Sequence, residues 1–284
     1  MVNDRGARRA RNTPASPGTA VPDPDNDPSI LPSRGRQSFG QHAGAFVREL
    51  LAVVIGAVIV ASLLRGFVGQ MFIIPSISMQ NTLQIDDRVV VEKLSSIKRG
   101  QVVVFANPGG WLSGVVPTER GPLGQALEFV GVLPDTSTEH LIKRAVGMPG
   151  DHVVCCDAQG RITVNDVPLD ETSYLFRSPD GVVADPSKIR FDVVVPADGI
   201  FVLGDNRGAS RDSRCHLNDT GPGQLKGENA FVPLNLVVGR AIAVAWPVGD
   251  AHRLSVPATY AGVPVAVEPA PARPVVKAGP EASC

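Results

Sequence analysis

The strongest constraint on how this chain can fold is an uncharged apolar run from Leu50 to Leu64. As an α-helix the run would be about 22 Å long, and extending it to Val68 gives about 28 Å, against roughly 30 Å for the hydrocarbon core of a bilayer. Arg65 interrupts the extension, but its long side chain can reach the membrane interface. A signal-peptide core or a buried helix would also be apolar. The long polar arm before the run favours a single membrane anchor, which we place at residues 46–69.

The charges around the anchor predict its orientation. Arg34, Arg36 and Arg48 precede the apolar run, whereas Arg65 stands close by on the other side. The positive-inside rule therefore predicts a single-pass protein of the cell membrane, with a cytoplasmic N-terminus and an extracytoplasmic main domain. Residues 1–45 are mainly Pro, Arg, Ser, Asp and Gly, so they cannot bury enough apolar surface to fold and are predicted to be a disordered cytoplasmic tail. This tail is also too long and polar to be the n-region of a signal peptide.

After the anchor, short valine-rich runs alternate with glycine and proline turn signals. Such spacing is typical of short strands, and the absence of alternating strand and helix patterns predicts a mainly β, antiparallel sheet rather than a parallel one. The predicted strands are Arg88–Glu92, Gln101–Phe105, Leu141–Val146, His152–Cys156, Arg161–Val164, Phe191–Val195, Ile200–Leu203 and Val237–Trp246.

The domain organisation follows from these elements. Residues 70–248 are predicted to form one extracytoplasmic β-rich domain, in which residues 152–198 would be a subdomain with less part in the chemistry. Residues 249–284 carry repeated prolines together with Glu268 and Arg273, which exclude a second membrane helix. This last segment is predicted to be a flexible tail.

Composition excludes some classes of function. The net charge is −1 and the pI is near 6.5, which argues against a nucleic-acid partner. No two of the four cysteines have the C-x-x-C spacing of a zinc site, so no metal or cofactor is predicted.

The cysteines favour a disulfide only if the domain lies outside the cytoplasm. Cys155 and Cys156 are adjacent, and neighbours on a strand point to opposite faces, so only one of them suits a given partner. We therefore predict a disulfide from Cys155 or Cys156 to Cys215, with buried free thiols as the alternative.

The first candidate for catalytic chemistry is the segment Pro75–Leu83, which places Ser76 and Ser78 two residues apart beside a proline. A serine hydroxyl is a poor nucleophile until a nearby base takes its proton. Histidine is the usual base, but none of the five histidines has a triad-like context. They are His42, His140, His152, His216 and His252.

The better candidate for the base is Lys143, in the predicted strand Leu141–Val146. Strand alternation sends Lys143 to the opposite face from Ile142 and Arg144. If that face is buried, desolvation lowers the pKa of the lysine, which must fall by about 3 units for half of the amine to be neutral near pH 7. Periodicity alone equally allows, and by itself favours, a solvent-exposed lysine at a strand edge.

Four separated segments together resemble the type I signal peptidases, in that family's order. The segments are Pro75–Leu83, Arg99–Phe105, Leu141–Asp151 and Gly204–Arg214, and the resemblance covers about residues 47–247. It implies a membrane-anchored Ser-Lys endopeptidase that removes signal peptides from secretory precursors after small residues in an Ala-x-Ala pattern.

The resemblance also implies roles for individual residues. Ser78 matches the nucleophile, Lys143 matches the general base, and Ser76 matches the serine that joins the backbone N–H of Ser78 in the oxyanion hole. Ser210 matches the residue that orients the lysine. A further pair, Asp212 and Arg214, matches residues that support the site.

The substrate pocket is predicted less directly. The candidates for its wall are the residues just before the nucleophile, namely Phe72, Ile74 and Pro75. The expected partners are secretory precursor proteins and the lipid bilayer, and association with the protein export machinery is left open. The peptide is expected to bind extended, by main-chain pairing to a strand edge.

The chain departs from the family pattern at a few positions. Asn81 stands where the family usually has proline, Asp86 where it has glycine, Gln101 where it has an acid, and Gly208-Ala209 where Asp-Asn is common. None of these positions supplies a nucleophile, a base or an oxyanion donor, so they concern local turn geometry.

Two other functions fit part of the pattern. A self-cleaving repressor-type Ser-Lys peptidase would use the same pair of residues, but such proteins are soluble and the anchor argues against one. An anchored β-domain that binds an envelope partner with a degenerate site would be expected to lack Ser78 or Lys143, and both are present.

Overall fold

A computed structural model of the protein describes residues 39–67, 69–112, 121–124, 139–221, 223, 225–282 and 284. Most of the predicted cytoplasmic tail, residues 1–38, lies outside the described residues. The first element is a helix, α1, spanning Phe39–Phe67. Among the described residues one stretch is long and apolar enough to cross a membrane, Gly44–Ser62 of this helix, and it is not buried within the protein. This stretch contains most of the predicted anchor.

The remaining regular structure is almost entirely β, and every pairing between strands is antiparallel, so the predicted fold class is confirmed. The strands are β1 Gly69–Ile73, β2 Arg88–Glu92, β3 Val102–Ala106, β4 His140–Gly147, β5 His152–Cys155, β6 Ile162–Val164, β7 Val167–Pro168, β8 Phe191–Val194, β9 Gly199–Leu203, β10 Val232–Pro233, β11 Val237–Trp246, β12 His252–Arg253 and β13 Val275–Ala278.

The strands form two sheets. The first has the order β1-β2-β11-β3-β4-β9-β10, with β12 paired to β11, and the second has the order β13-β8-β5-β6-β7. All eight predicted strands are present, and β2 and β11 have the predicted bounds. Most of the second sheet falls within the predicted subdomain 152–198, to which β13 adds a strand from far along the chain.

Strand β4 is an inner strand of the first sheet and carries the candidate base. It lies between β3 and β9, and every residue from Ile142 to Gly147 is buried. Its apolar side chains pack into three clusters: Ile142 lies with Val89 and Val104, Ala145 with Val103 and Phe105, and Val146 with residues of the second sheet. Because both faces of β4 are covered, alternation along this strand does not send any of these side chains to solvent.

The structure differs from the prediction of a flexible tail at residues 249–284. Strand β12 pairs with β11, β13 pairs with β8 in a continuous register, and Tyr260 is buried in the core. Prolines exclude a second membrane helix here, but they permit a short 3-10 helix, Ala258–Gly262, and extended chain. Val275–Ala278 supplies the β-branched residues that an added edge strand needs. The segment is therefore part of the folded domain.

The predicted disulfide is also wrong. The structure pairs Cys155 with Cys156, and Cys215 with Cys284. The prediction assumed that Cys155 and Cys156 continue one strand with alternating side chains, whereas β5 ends at Cys155. It also assumed that Cys284 lies in a mobile tail, whereas the segment after β11 returns to the domain and brings Cys284 to Cys215.

Candidate active site

Ser78 lies in a short 3-10 turn, Ile77–Met79, which is separated from the end of β1 by three residues. Met79 has no exposed surface and anchors the turn in the core, while Ser78 is 5% exposed. The backbone of the turn is fixed from another part of the chain, because the Asn206 N–H donates a hydrogen bond of 3.0 Å to the Ser78 carbonyl oxygen. The serine is thus held on a fixed backbone next to a strand of the first sheet.

The side chain of Lys143, on β4, extends to the side chain of Ser78. The distance from Lys143 Nζ to Ser78 Oγ is 2.8 Å, and Nζ also donates a hydrogen bond of 2.9 Å to the Ile142 carbonyl oxygen. The lysine is 3% exposed. Burial lowers its pKa to about 8, against the opposing charges of Asp212 and Asp205. Of the two environments that the sequence allowed, the structure places this lysine in the buried one.

Ser76 lies beside the pair on the solvent side. Its Oγ is 3.3 Å from Ser78 Oγ, and the residue itself is exposed. Ser76 precedes the 3-10 turn and makes no capping hydrogen bond to it, so its hydroxyl is not committed to the local backbone. A group that docks on Ser78 would therefore meet the Ser76 hydroxyl.

Asp212 and Arg214 form a buried ion pair behind Lys143. Arg214 donates from Nε to Asp212 Oδ1 at 2.9 Å and from Nη2 to Asp212 Oδ2 at 2.8 Å. Burial raises the pKa of Asp212, but the charge and hydrogen bonds of Arg214 outweigh it, and the net pKa is lowered. Asp212 also accepts a hydrogen bond of 3.0 Å from the Gly204 N–H, which joins this pair to the end of β9.

Ser210 lies in the same region but does not make the hydrogen bond to the lysine that the resemblance implied. Its Oγ is buried and makes no hydrogen bond of normal geometry with the described residues. It lies close enough to Asp212 to contribute to the lowered pKa of that carboxyl group. The structure thus brings Ser210 to the site without a direct hydrogen bond to Lys143.

Gly204 allows the Ser78 backbone and the Ser210 side chain to approach one another closely. A Cβ at this position would clash with Ser210 Oγ and Cβ, and would lie 2.6 Å from the Ser78 carbonyl oxygen. Because the Ser78 backbone and the Ser210 side chain both lie against Gly204, no larger residue fits here without moving one of them.

If Ser78 is the nucleophile that the resemblance implies, we expect Gly204→Ala to lower the turnover number about 100-fold, because a shift of the order of 1 Å in Ser78 is enough for such a loss. Gly208→Ala is the matched control, since nothing lies within 4 Å of a Cβ added at Gly208. Steady-state cleavage of a peptide substrate by both variants makes the measurement. Equal activity of the two variants would contradict the close approach described here.

A second buried ion pair, which the sequence analysis missed, lies next to the first. Arg144 donates from Nε to Asp205 Oδ1 at 2.8 Å and from Nη2 to Asp205 Oδ2 at 2.5 Å. Thr82 Oγ1 donates to the same carboxylate, and Arg144 Nη1 donates to the Gly100 carbonyl oxygen at 2.6 Å. A charged residue directly after Lys143, in a strand otherwise apolar, was the available signal.

A third buried pair extends this network away from the nucleophile. Arg207 Nη2 donates to Glu171 Oε1 at 2.5 Å, and its Nε donates to the Gly204 carbonyl oxygen at 3.0 Å. Tyr174 donates to Glu171, and the hydroxyl groups of Tyr174 and Tyr260 are 2.9 Å apart. Glu171 and the two tyrosines were not predicted, because they come from segments outside the motifs.

The three predicted pocket residues occupy different environments. Ile74 is 1% exposed and packs in the core with Leu83, so its side chain could line a pocket only from beneath. Phe72 is half-buried, with its ring centroid 5.0 Å from that of His140. Pro75 is exposed.

Two departures from the family pattern have a visible local role. Asp86 has a φ of 69°, a left-handed conformation that glycine adopts without strain and aspartate tolerates. Gln101 is buried and accepts a hydrogen bond of 2.9 Å from the Lys98 N–H through its side-chain oxygen, a role that an acidic side chain would also fill. Gly208 and Ala209 are exposed and outside these contacts.

The matching family model and three of the similar proteins are all described as signal peptidases. The family model described as "Signal peptidase, peptidase S26" matches residues 47–246. "Signal peptidase I" of Mycobacterium tuberculosis is 31% identical over 258 residues, covering 82% of this chain and 83% of its own length. "Signal peptidase I" of Leptolyngbya laminosa is 34% identical, covering 72% of this chain and 82% of its own length. "Probable signal peptidase I-2" of Synechocystis is 36% identical, covering 70% of this chain and 73% of its own length.

Proposed function

Because the chain belongs to the signal peptidase family, peptidase S26, we propose that it removes signal peptides with Ser78 as the nucleophile and Lys143 as the general base. Family membership makes the protein a serine endopeptidase that acts on exported precursors carrying signal peptides. The observation that carries the residue assignment is the 2.8 Å distance between Lys143 Nζ and Ser78 Oγ in a buried environment. A nucleophile and a base within hydrogen-bond reach are the geometric requirement for this chemistry.

In the acylation step the neutral Lys143 amine takes the proton of Ser78 as Oγ bonds to the scissile carbonyl carbon. One N–H of the amine is held by the Ile142 carbonyl oxygen, which directs the nitrogen lone pair towards Ser78. The oxyanion that forms is stabilised by the Ser76 hydroxyl and the Ser78 backbone N–H, and removing one such donor typically costs about 3 kcal/mol. The C–N bond then breaks as the Lys143 ammonium group returns its proton to the leaving amine.

In the deacylation step a water molecule attacks the acyl-Ser78 ester. Lys143, neutral again, removes a proton from this water, and the ester bond breaks as Ser78 Oγ recovers its proton. One buried base therefore serves both halves of the reaction. Asp212 and Arg214 support it from behind, and Ser210 would orient the lysine once a substrate is bound.

The position of Ser78 shortly after the anchor in the chain suits cleavage of a peptide bond at the membrane surface. Helix α1 would anchor the protein, and Ser78 follows it closely in the chain. We infer a cytoplasmic N-terminus and an extracytoplasmic protease domain from the arginine distribution. The two disulfides support this orientation, because such bonds persist in oxidising compartments.

The substrate would bind as an extended strand with small residues before the cut. Strand β1 is an edge strand of the first sheet and leads into the nucleophile, so its free edge can pair with a peptide main chain. Phe72 and Pro75 lie next to that path, where their bulk would reject large side chains and leave the Ala-x-Ala pattern.

The experiment that tests this function uses the detergent-solubilised full chain and a precursor with an Ala-x-Ala site. We expect the wild type to cut after the second alanine and Ser78→Ala to have no measurable activity. The exposed Ser96 provides a matched control, and Ser96→Ala should cut at the wild-type rate. Replacement of the final alanine by leucine in the precursor should stop cleavage. Cleavage by Ser78→Ala, or no cleavage by the wild type, would show the assignment to be wrong.

A further inference from the structure

The segment after β12 is attached to the domain at many points. We call residues 254–282, together with Cys284, the strap. The Leu254 N–H donates to the Ile242 carbonyl oxygen at 2.9 Å, and the Ala197 N–H donates to the Pro271 carbonyl oxygen at 2.9 Å. Asn218 Nδ2 donates to the Gly279 carbonyl oxygen at 2.8 Å. Strand β13 lies within the strap and completes the second sheet. The strap is thus laid along the protease domain over its whole described length.

One residue of the strap, Tyr260, belongs to the network of buried hydrogen bonds next to Ser78 and Lys143. The Tyr260 hydroxyl is 2.9 Å from that of Tyr174, which donates to Glu171. Glu171 pairs with Arg207, and Arg207 Nε donates to the carbonyl oxygen of Gly204. A continuous series of hydrogen bonds therefore runs from the strap to the residue against which Ser78 and Ser210 pack.

The Tyr260 ring makes a second contact with the same network. A Cβ at Gly100 would lie 2.5 Å from Tyr260 Cδ2, so the ring is pressed against this glycine. The Gly100 carbonyl oxygen accepts from Arg144, the residue that follows Lys143. Tyr260 is therefore linked to two of the buried arginines, to Arg144 through Gly100 and to Arg207 through Tyr174 and Glu171.

The other end of the strap is joined to the site covalently. Cys284 forms a disulfide with Cys215, which directly follows Arg214. The Cys215 N–H donates to the Asp212 carbonyl oxygen at 2.9 Å, and Cys215 Sγ lies 3.7 Å from the Ser210 carbonyl oxygen. The segment Ser210–Arg214 is therefore held at its far end by Cys284. It is also joined to the series of hydrogen bonds that begins at Tyr260, because the Gly204 N–H donates to Asp212 Oδ2 at 3.0 Å.

We propose that Tyr260 and the Cys215–Cys284 disulfide are positioning residues for the catalytic lysine. They act by holding Ser210–Arg214 against Lys143, so that this lysine stays buried and Asp212 stays fixed. This inference deepens the proposed function and rests on it for its kinetic readout. Because burial is the main cause of the lowered pKa of Lys143, release of the segment admits water and moves that pKa upward, towards the ordinary value of a lysine.

The test compares two disulfides in the full-length protein. Cys215→Ala/Cys284→Ala removes the bond at the site, and Cys155→Ala/Cys156→Ala removes one that none of the described contacts links to it. Tyr260→Phe is the third variant, because it deletes one hydroxyl group and keeps the ring against Gly100. For the site variants we expect a loss of turnover number of about tenfold or more, and an acid limb of the pH–rate profile shifted upward by about one pH unit.

A second readout does not depend on cleavage. Amide hydrogen exchange over residues 204–216 should become faster in Cys215→Ala/Cys284→Ala and in Tyr260→Phe, and stay unchanged in Cys155→Ala/Cys156→Ala. An unshifted acid limb or unchanged exchange in Tyr260→Phe would overturn the inference, even if the melting temperature falls. If the wild type does not cleave, the proposed function fails, and hydrogen exchange alone then decides whether the strap holds this segment.

Discussion

Replacing Lys143 by arginine is expected to abolish cleavage, with a loss of at least about 10³-fold in the turnover number, within the range that a general base contributes. Arginine keeps a positive charge and a similar stem, so the variant tests proton transfer rather than charge. A guanidinium group stays protonated at every pH at which the protein is folded, and it therefore cannot accept the proton of Ser78. Detergent-solubilised protein and a precursor substrate are sufficient for this measurement.

The pH dependence of the wild-type cleavage rate is a second test of Lys143 as the base. With the pKa of Lys143 at about 8, the lysine is half neutral near pH 8. Since only the neutral amine is a base, the rate is expected to fall about tenfold per pH unit below this value and to level off above it. No pH should restore the Lys143→Arg variant.

The matched control is Lys188→Arg, at an exposed lysine. It makes the same chemical change without touching the site, and it should leave the rate and the pH profile unchanged. Circular dichroism of Lys143→Arg would verify that the larger group has not unfolded the domain. A folded Lys143→Arg variant that still cuts would rule out the lysine as the base.

The same pKa has a consequence for stability. Between about pH 8 and the ordinary lysine pKa near 10.5, the unfolded state binds a proton at Lys143 that the folded state does not. Stability therefore rises with pH through this window, as far as Lys143 is concerned. The destabilisation is fully present below the folded-state pKa and is lost above the unfolded-state pKa. The folded protein holds this lysine in an unfavourable environment, as is common at functional sites.

The fold was predictable wherever the local pattern agreed with the tertiary structure. Strands such as Arg88–Glu92 and Val237–Trp246 are valine-containing, mainly apolar runs bounded by turn signals, so their bounds follow from the sequence. Strand β1 was missed because Gly69–Ile73 continues the apolar character of the helix before it, without an intervening turn signal. Strand β13 was missed because the prolines around it suggested an unfolded segment.

The site was predictable only in part, and for a different reason. The motifs singled out Ser78 and Lys143, whose side chains lie 2.8 Å apart in the structure. Strand periodicity could not show that β4 is covered on both faces, because that depends on strands far away in the chain. The partner of Arg144 could not be identified either, because Asp205 lies on a loop after β9 that sequence spacing does not place. The disulfide partner of Cys215 was missed because it depended on the path of the strap.

Replacing Asp205 by asparagine is expected to have the largest effect on stability, about 3–5 kcal/mol, the usual result of removing one partner from a buried ion pair. The change keeps the shape of the side chain and removes its charge. Arg144 is 2% exposed and Asp205 is fully buried, so the guanidinium group would be left without a counter-ion and without access to water. The free energy of unfolding is measured by urea titration of the full chain in detergent, with tryptophan fluorescence as the signal.

The same variant should shift the pH–rate profile in a definite direction. The Asp205 charge raises the pKa of Lys143, in opposition to burial, so its removal lowers that pKa. We therefore expect the acid limb of Asp205→Asn to move to lower pH, at a temperature where the variant is folded. The direction is opposite to that expected when water enters the site.

The control is Glu92→Gln, which breaks the partly exposed pair between Glu92 and Arg240. A pair near the surface is screened by water, so this variant should lose much less stability than Asp205→Asn, and its acid limb should not move. An acid limb that moves upward in Asp205→Asn would mean that the Arg144–Asp205 pair keeps water from Lys143 rather than setting the local charge. An unchanged limb would mean that Asp205 has no electrostatic influence on the base, and in that case Asp212 alone would balance the burial of Lys143.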